Sequence, residues 1–523
     1  MNKIYKTSTT GKSEHSSFFC RYGNEKRNLI KIPLVVLFFL AIALAGCLQQ
    51  GSPPIKKTLT LFAMNRFQRI DGFGVNITPA QWNDGKLKPA IDKLVNELGA
   101  RLFRFDCTGL ANWLDPSRRN PDGSYPQEYL DSVYHSKVFA DAWETFRYLN
   151  DKGGEPFFSI SGRIHPKLGK TDDSQRLYDF DGYAEMIATM LYHARENQKL
   201  KFSLVSPFNE TDLGYPEGPK MDANDIVMAT KAIIKKLNAY GLKDIKLIVP
   251  DDANPSLERL DAFLLDSSLV KRIAVFGTHT YGNEGIGDSK NWYKSETEMS
   301  MFAKHIRKSQ YENSSAWITE YGDLDQTNEI DFEVAWRSAD RLLRSLHSGF
   351  SAGIAWDAFD NFHQHDTAWT EYGLLKTDTV KWSYMPKKRF YAAKQLFPFI
   401  KPGWYLAELR EPQSTDYDVY KKWHDPFRNF MTLAFVSGNG KDFTIVGMNN
   451  TESSVEITIS LPDLHISGYN QKVVYYRTNQ KDDCSKVTTY DPDDKIVSFV
   501  PAKTIFTFTT INQTWRLSNW FSR

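Results

Sequence analysis

The strongest constraint on this chain is the alternation of short apolar runs with longer amphipathic segments between about residues 70 and 396. The runs are rich in β-branched and aromatic residues, which is typical of buried strands, and the intervening segments space their apolar residues as helices do. Strands are predicted over residues 70–77, 100–106, 156–162, 202–209, 246–251, 273–279, 316–320 and 352–357. Helices are predicted over residues 87–98, 139–151, 183–197, 223–240 and 334–347. Repeated βα units of this number predict a (β/α)8 barrel, also called a TIM barrel.

The alternative α/β architecture is a doubly wound open sheet. Its dinucleotide-binding members carry a glycine-rich turn after the first strand, where the phosphates bind a helix N-terminus. The turn after residues 70–77 has no such pattern. We therefore expect the barrel, with its limits at residues 70–399.

The pattern changes after Lys401 to short runs of alternating polarity separated by turn residues. Strands are predicted over residues 443–449, 454–460, 471–477 and 504–509. This pattern indicates an all-β sandwich over residues 400–523. Residues 57–69 precede the first barrel strand and are predicted to add a further strand to the sandwich, which would make that domain discontinuous.

The N-terminal region contains an uncharged run over residues 32–46, preceded by Lys26, Arg27 and Lys31. This run is too short to span a bilayer comfortably, and it ends in Leu44-Ala45-Gly46-Cys47. It resembles a bacterial lipoprotein signal, which implies removal of residues 1–46, acylation of Cys47 and a tether over residues 47–56. The resemblance also implies a lipid anchor in the membrane of the bacterial cell envelope, facing the periplasm or the surface. An uncleaved anchor is the alternative.

Residues 1–46 hold seven of the 65 Lys and Arg residues and two of the 63 Asp and Glu residues, so the remaining chain is slightly acidic. No basic stripe with interleaved aromatics is present, and no nucleic-acid partner is expected. Apart from Cys20 and Cys47, the cysteines are Cys107 and Cys484, in different predicted domains. We expect neither a disulfide nor a zinc site, no other metal, no cofactor, and a monomeric protein.

Two predicted strands end in glutamate. The fourth strand is followed by Asn209 and Glu210, and the seventh by Glu320. Active sites of TIM barrels lie at the carboxyl ends of the strands, and burying an unpaired carboxyl is costly. A single such glutamate is more simply explained by an ion pair or by exposure to water. Two glutamates facing each other across the barrel instead match glycoside cleavage, which needs a carboxyl on each side of the bond.

With these motifs the chain resembles the clan A glycoside hydrolases. The resemblance implies that Glu210 is the acid/base and Glu320 the nucleophile of a retaining enzyme. It extends to strand two, which ends with Arg104, to strand six, which ends with His279 and Tyr281, and to strand eight, which ends with Trp356. The motif Asp71-Gly72-Phe73-Gly74 and the partly N-terminal sandwich are most similar to family 30.

The resemblance also implies roles for the neighbours of the two glutamates. Arg104 and Tyr281 would hold Glu320 ionised, because a nearby cation and donated hydrogen bonds favour the carboxylate. Asn209 would bind the sugar 2-hydroxyl, and Trp356 would offer the sugar an apolar face. The candidates for substrate contact are Arg104, Asp106, Asn209, His279, Tyr281, Trp356, Arg163, His165 and Asn361.

The sugar is left open because the chain departs from family 30 after strand three. Family members usually carry a tryptophan there, and this chain has Arg163 and His165, either of which would replace it. Candidate activities are those of a β-1,6-galactanase, a β-1,6-glucanase, a xylanase or a β-glucosidase-like enzyme. A surface glycan-binding lipoprotein without catalysis is the alternative. A metal-dependent barrel hydrolase is disfavoured because strand one lacks a His-x-His motif.

Overall fold

A computed structural model gives the fold of most of the chain. It describes residues 55–78, 82–107, 112–171, 173–281, 292–325, 331–363, 368–411, 429–462, 472–491 and 495–511. The predicted signal, Cys47 and nearly all of the tether lie outside these ranges. Among the described residues, no helix is both long and apolar enough to cross a membrane.

The central element is a closed barrel of eight parallel strands that follow one another in chain order. The strands are Gly72–Ile77, Leu102–Asp106, Glu155–Ser159, Leu204–Ser206, Lys246–Asp252, Ile273–Thr280, Ser315–Tyr321 and Ala352–Ala355. These strands confirm the predicted (β/α)8 barrel. The fourth strand is shorter than predicted: it ends at Ser206, because Pro207 has no amide hydrogen to donate to the sheet.

Helices surround the barrel. They span Lys88–Lys93, Gln127–Tyr134, Lys137–Asp151, Phe180–Tyr192, Ala223–Ala239, Leu257–Leu264, Trp292–Arg307, Asp331–His347 and Lys388–Lys394. Two of them continue into π turns, Leu94–Leu98 and His193–Asn197, and short 3-10 turns lie at Asn83–Gly85, Pro116–Arg118, Pro166–Leu168 and Ser267–Leu269. The five predicted helices are present, with ends that agree to within three residues.

The barrel interior has an apolar floor beneath a polar upper layer. The floor is formed by Leu102, Phe157, Ile248, Val275, Trp317, Ala352 and Ile354. Side chains two residues apart on a strand share a face, so Arg104 lies one layer above Leu102. Thr319 similarly lies above Trp317. The interior is therefore a packed core whose polar groups gather at the carboxyl ends of the strands.

Irregular backbone brings two further carboxylates into that upper layer. The ladder between strands six and seven shifts register between Ile318 and Glu320, as a bulge does. Thr319 and Glu320 can therefore both point into the barrel although they are consecutive. The ladder between strands five and six shifts between Pro250 and Asp252, and Asp251 there has a φ of 62°.

At Gly74, in the first strand, the adjacent strand approaches too closely to leave room for a side chain. A Cβ atom at this position would lie 1.7 Å from the Leu102 carbonyl oxygen on the adjacent strand. Gly74→Ala should therefore cost more than about 3 kcal/mol of unfolding free energy, or prevent folding. Gly438→Ala is the matched control, since the nearest atom to its Cβ is 4.0 Å away. Equal midpoints of urea unfolding for the two variants would contradict this packing.

The second element is a nine-stranded, largely antiparallel sheet. In spatial order its strands are Ser485–Tyr490, Val473–Thr478, Thr504–Thr509, Phe443–Asn449, Phe430–Val436, Tyr405–Arg410, Ile55–Arg69, Val455–Ser460 and Lys495–Val500. The two edges of the sheet lie close together, since Tyr475 near one edge donates to the Phe499 carbonyl in the strand at the other edge. The sheet therefore folds over on itself. Both halves share one apolar core, as the predicted sandwich requires. Three two-stranded pairs complete the described strands: Gly169–Lys170 with Asp173–Leu177, Asn361–His363 with Ala368–Thr370, and Leu375–Asp378 with Ser383–Pro386.

Candidate active site

Glu210 and Glu320 meet at the mouth of the barrel. One carboxylate oxygen of each lies within 4.8 Å of the other, and a ring nitrogen of His279 lies within the same distance of both. Glu210 is 8% exposed and Glu320 is 6% exposed. Strands four and seven thus bring the two carboxyls together, with a small opening to solvent.

The Glu320 carboxylate is held by donors on both oxygens. Arg104 Nη1 donates to Oε1 at 2.5 Å, and the Tyr281 hydroxyl donates to Oε2 at 2.6 Å. Burial raises the pKa of the Glu320 carboxyl above its ordinary value, whereas the charges of His279 and Arg104 act to lower it. The donors favour the ionised form that a nucleophile needs. Burial, which the sequence does not reveal, acts against them.

Arg104 is the centre of this arrangement and has no exposed surface. Besides Glu320, its guanidinium donates to Asn76 Oδ1 at 2.9 Å, Asn209 Oδ1 at 2.6 Å and Asp251 Oδ2 at 3.1 Å. The rigid fork of donors suits several acceptors at once. With no exposed surface, Arg104 could influence a ligand only through these neighbours.

His279 also lies fully buried beneath the two glutamates. Its Nδ1 is 2.7 Å from Glu210 Oε1 and 3.6 Å from Glu320 Oε2, and its Nε2 is 3.5 Å from Asp251 Oδ1. Burial alone would lower the pKa of His279, but Glu320, Asp251 and Glu210 raise it well above its ordinary value. The ring thus lies among three carboxyl groups, whose charges favour its protonated form.

Asp251 is a component of the site that was not among the candidates predicted from sequence. It is fully buried and accepts hydrogen bonds from Arg104, from Ser206 Oγ at 2.6 Å and from the Thr319 hydroxyl. Burial alone would raise the pKa of Asp251, but Arg104 and His279 outweigh it and the pKa lies below its ordinary value. Asp251 could have been noticed as a carboxylate ending the apolar fifth strand.

The loop after strand four sets the position of Glu210. The Glu210 amide donates to the Asp251 carbonyl at 2.9 Å, and the residue has a φ of 45°. Asn209 Nδ2 donates to the Glu217 carbonyl at 3.1 Å, which also accepts from the Gly162 amide. Both polar atoms of the Asn209 amide therefore have protein partners. A hydrogen bond to a sugar hydroxyl would be added to these or would replace one.

Trp356 is 9% exposed at the end of strand eight. Its ring packs edge-on against His363, with 5.1 Å between ring centroids, and His363 Nε2 lies 3.2 Å from Asp357 Oδ2. Asn361 donates to the same Asp357 oxygen at 2.8 Å and is 1% exposed. Asn361 is therefore linked to Trp356 through Asp357 and His363.

The remaining candidates lie on the loops after strands two and three. Asp106 is buried and accepts a hydrogen bond from the Ser161 hydroxyl. His165 accepts from the Lys167 amide at 3.2 Å and so caps a short 3-10 turn. Arg163 is exposed, and its guanidinium lies 4.5 Å from the centre of the Tyr215 ring. Of these three, Arg163 has the most surface to offer a ligand.

Glu210, His279 and Glu320 are close enough together to bind a metal ion by distance alone. Their hydrogen bonds argue otherwise. Both oxygens of Glu320 already accept strong donors, and His279 would have to lose the proton it shares with Glu210. A cation would also lie beside the Arg104 guanidinium. The arrangement suits proton transfer better than metal binding.

Several proteins of known structure share this architecture. A family 30 endoxylanase from Clostridium papyrosolvens shares the fold with a TM-score of 0.63 and 17% identity, over 86% of this chain and 99% of its own. A conserved exported protein from Bacteroides fragilis has a TM-score of 0.64 and 14% identity, over 87% of this chain and 100% of its own. An endo-β-1,6-glucanase has a TM-score of 0.58 and 16% identity, over 88% of this chain and 96% of its own. No protein-family model and no curated protein matches the sequence. The chain thus has the fold of family 30 glycoside hydrolases.

Proposed function

We propose that this protein is a retaining glycoside hydrolase similar to family 30, with Glu210 as acid/base and Glu320 as nucleophile. The observation that carries the proposal is that one carboxylate oxygen of Glu210 lies within 4.8 Å of one carboxylate oxygen of Glu320. Retaining enzymes place the carboxyls about 5 Å apart, whereas inverting enzymes keep them about 6.5–9.5 Å apart to admit a water molecule. The fold and the strand positions of both residues agree with this assignment.

The surroundings of the two carboxyls suit two successive displacements. Glu320, with a donor on each oxygen, would attack the anomeric carbon while Glu210 protonates the leaving oxygen. A covalent glycosyl-enzyme would result. Glu210, now a carboxylate, would then take a proton from water as that water attacks the same carbon and releases Glu320. Tyr281 and Arg104 would stabilise Glu320 as it leaves.

We propose a β-linked glycan as the substrate. β-1,6-Galactan, β-1,6-glucan, xylan and aryl β-glucosides are the candidates, because structural neighbours include a family 30 endoxylanase and an endo-β-1,6-glucanase. The test is a panel of these substrates with products resolved by mass, using the double variant Glu210→Gln, Glu320→Gln as control. Products from the unmodified enzyme alone would support hydrolysis. Binding without products would favour the alternative, a glycan-binding protein without catalysis.

We also propose that the mature protein begins at Cys47 and is anchored to the bacterial envelope by lipid. The support is the sequence around Cys47, which lies outside the described residues. Metabolic labelling with a fatty-acid analogue should mark the full-length protein and not the variant Cys47→Ser. Equal labelling of both, or of neither, would rule out the anchor at this residue.

A further inference from the structure

We propose that Asp251 is a positioning residue for the acid pair, which aligns Arg104 with Glu320 and holds a negative charge against the His279 ring. This inference rests on the proposed function and extends it to a residue that would not touch the substrate. Asp251 has no exposed surface. Any effect it has on catalysis must therefore pass through its neighbours.

The contacts of Asp251 come from four other strands of the barrel. Arg104 of strand two and Ser206 of strand four donate to Oδ2, while Thr319 of strand seven donates to Oδ1. His279 of strand six faces Oδ1 at 3.5 Å. Gly277 makes room for the carboxylate, since a Cβ atom at that position would lie 3.0 Å from Oδ1. Asp251 thus joins four other strands of the barrel beneath the two glutamates.

The charges of the cluster explain why a carboxylate is needed there. Arg104 pairs with Asp251 and Glu320, the His279 ring faces Asp251, Glu320 and Glu210, and the charge of Asp106 also acts on Arg104. The adjacent carboxylate, Asp252, does not replace Asp251, because it is paired with Arg259 through bonds of 2.7 and 3.0 Å. Without the charge of Asp251 the cluster would be more positive, and its protons would leave more easily.

The variant Asp251→Asn removes this charge with little change of shape. We expect kcat to fall at least about tenfold and the basic limb of the pH–rate profile to move down by about one pH unit, with KM changing little. The loss of any proton from the cluster becomes easier, whichever group releases it. A folded variant with an unshifted profile would overturn the proposal.

The matched control is Glu185→Gln, which converts another buried carboxylate into an amide, on the helix Phe180–Tyr192 and not on a barrel strand. Glu185 is 2% exposed and binds Lys236 at 2.7 Å and Tyr240 at 2.5 Å. This control should lose stability as Asp251→Asn does, yet keep the pH profile of the unmodified enzyme. The same pH shift in both variants would mean that Asp251 is merely structural, and would overturn the proposal.

A second measurement does not depend on the folding of any Asp251 variant. In the unmodified protein labelled with 15N-histidine, both ring nitrogens of His279 should carry protons from pH 5 to pH 8. The signal is assigned by its loss in His279→Gln. A neutral His279 ring at pH 7 would overturn the inference. If no glycan is cleaved, the proposed function fails, and this readout still decides the charge of His279.

Discussion

Replacing Glu320 by glycine should lower kcat by at least about ten thousand-fold, because no other carboxyl can form the glycosyl-enzyme. The protein should remain folded, since the loss of one acceptor leaves Arg104 bound to Asn76, Asn209 and Asp251. Azide fits the vacated space and should restore turnover of an aryl glycoside with a good leaving group. The product should be a glycosyl azide of configuration opposite to that of the substrate.

Glu210→Gly is the companion variant and separates the two roles. A leaving group that needs no proton should still depart, so the glycosyl-enzyme should accumulate. Azide should then attack that intermediate from the opposite side to Glu320 and give a product with the configuration of the substrate. The reverse assignment of azide products to the two variants would mean that the acid and the nucleophile had been interchanged.

Replacing Arg104 by methionine should damage both stability and catalysis. The change removes the guanidinium that pairs with the buried Asp251 and the nearly buried Glu320, and breaking one side of a buried ion pair typically costs about 3–5 kcal/mol. We also expect kcat to fall at least about a hundredfold, since Glu320 loses its donor at 2.5 Å. Urea unfolding and kinetics on one aryl glycoside measure the two effects.

Arg147→Met is the control for Arg104→Met. Arg147 pairs with Glu144 on the helix Lys137–Asp151, where their side chains are 38% and 52% exposed, and it also donates to Gln198 Oε1 at 3.1 Å. An exposed pair of this kind is worth about 0–1 kcal/mol. Stability and kcat should therefore stay near those of the unmodified protein. A loss in Arg104→Met no greater than in Arg147→Met would contradict the central place of Arg104.

The two facing glutamates could be predicted from sequence because each comes at the end of an apolar run. In a barrel, strand order fixes which strand ends face each other, so Glu210 and Glu320 could be placed without coordinates. Arg104 and Tyr281 were predicted from the resemblance to the clan A glycoside hydrolases. The helices were also predictable, since their apolar spacing is regular and several begin at a capping side chain, as Asp222 does for the helix Ala223–Ala239.

The remainder of the site depends on geometry that periodicity does not contain. Asp251 points inward only because the strand shifts register there and the residue has a φ of 62°. Asn76 has no role in the predicted site, yet it accepts from Arg104. The positions of loop residues such as Arg163 depend on the shape of the loop. The burial of Arg104 and His279, which keeps both away from a ligand, depends on how the barrel packs. These are tertiary properties, which strand-end reasoning cannot supply.

The most direct test of the account is the configuration of the first product. A β-linked substrate from the panel is mixed with the enzyme in an NMR tube, and the anomeric proton of the new reducing end is followed before mutarotation. A distance of at most 4.8 Å between Glu210 and Glu320 oxygens predicts that the β-anomer appears first. Initial release of the α-anomer would contradict the double displacement and the roles assigned to both glutamates.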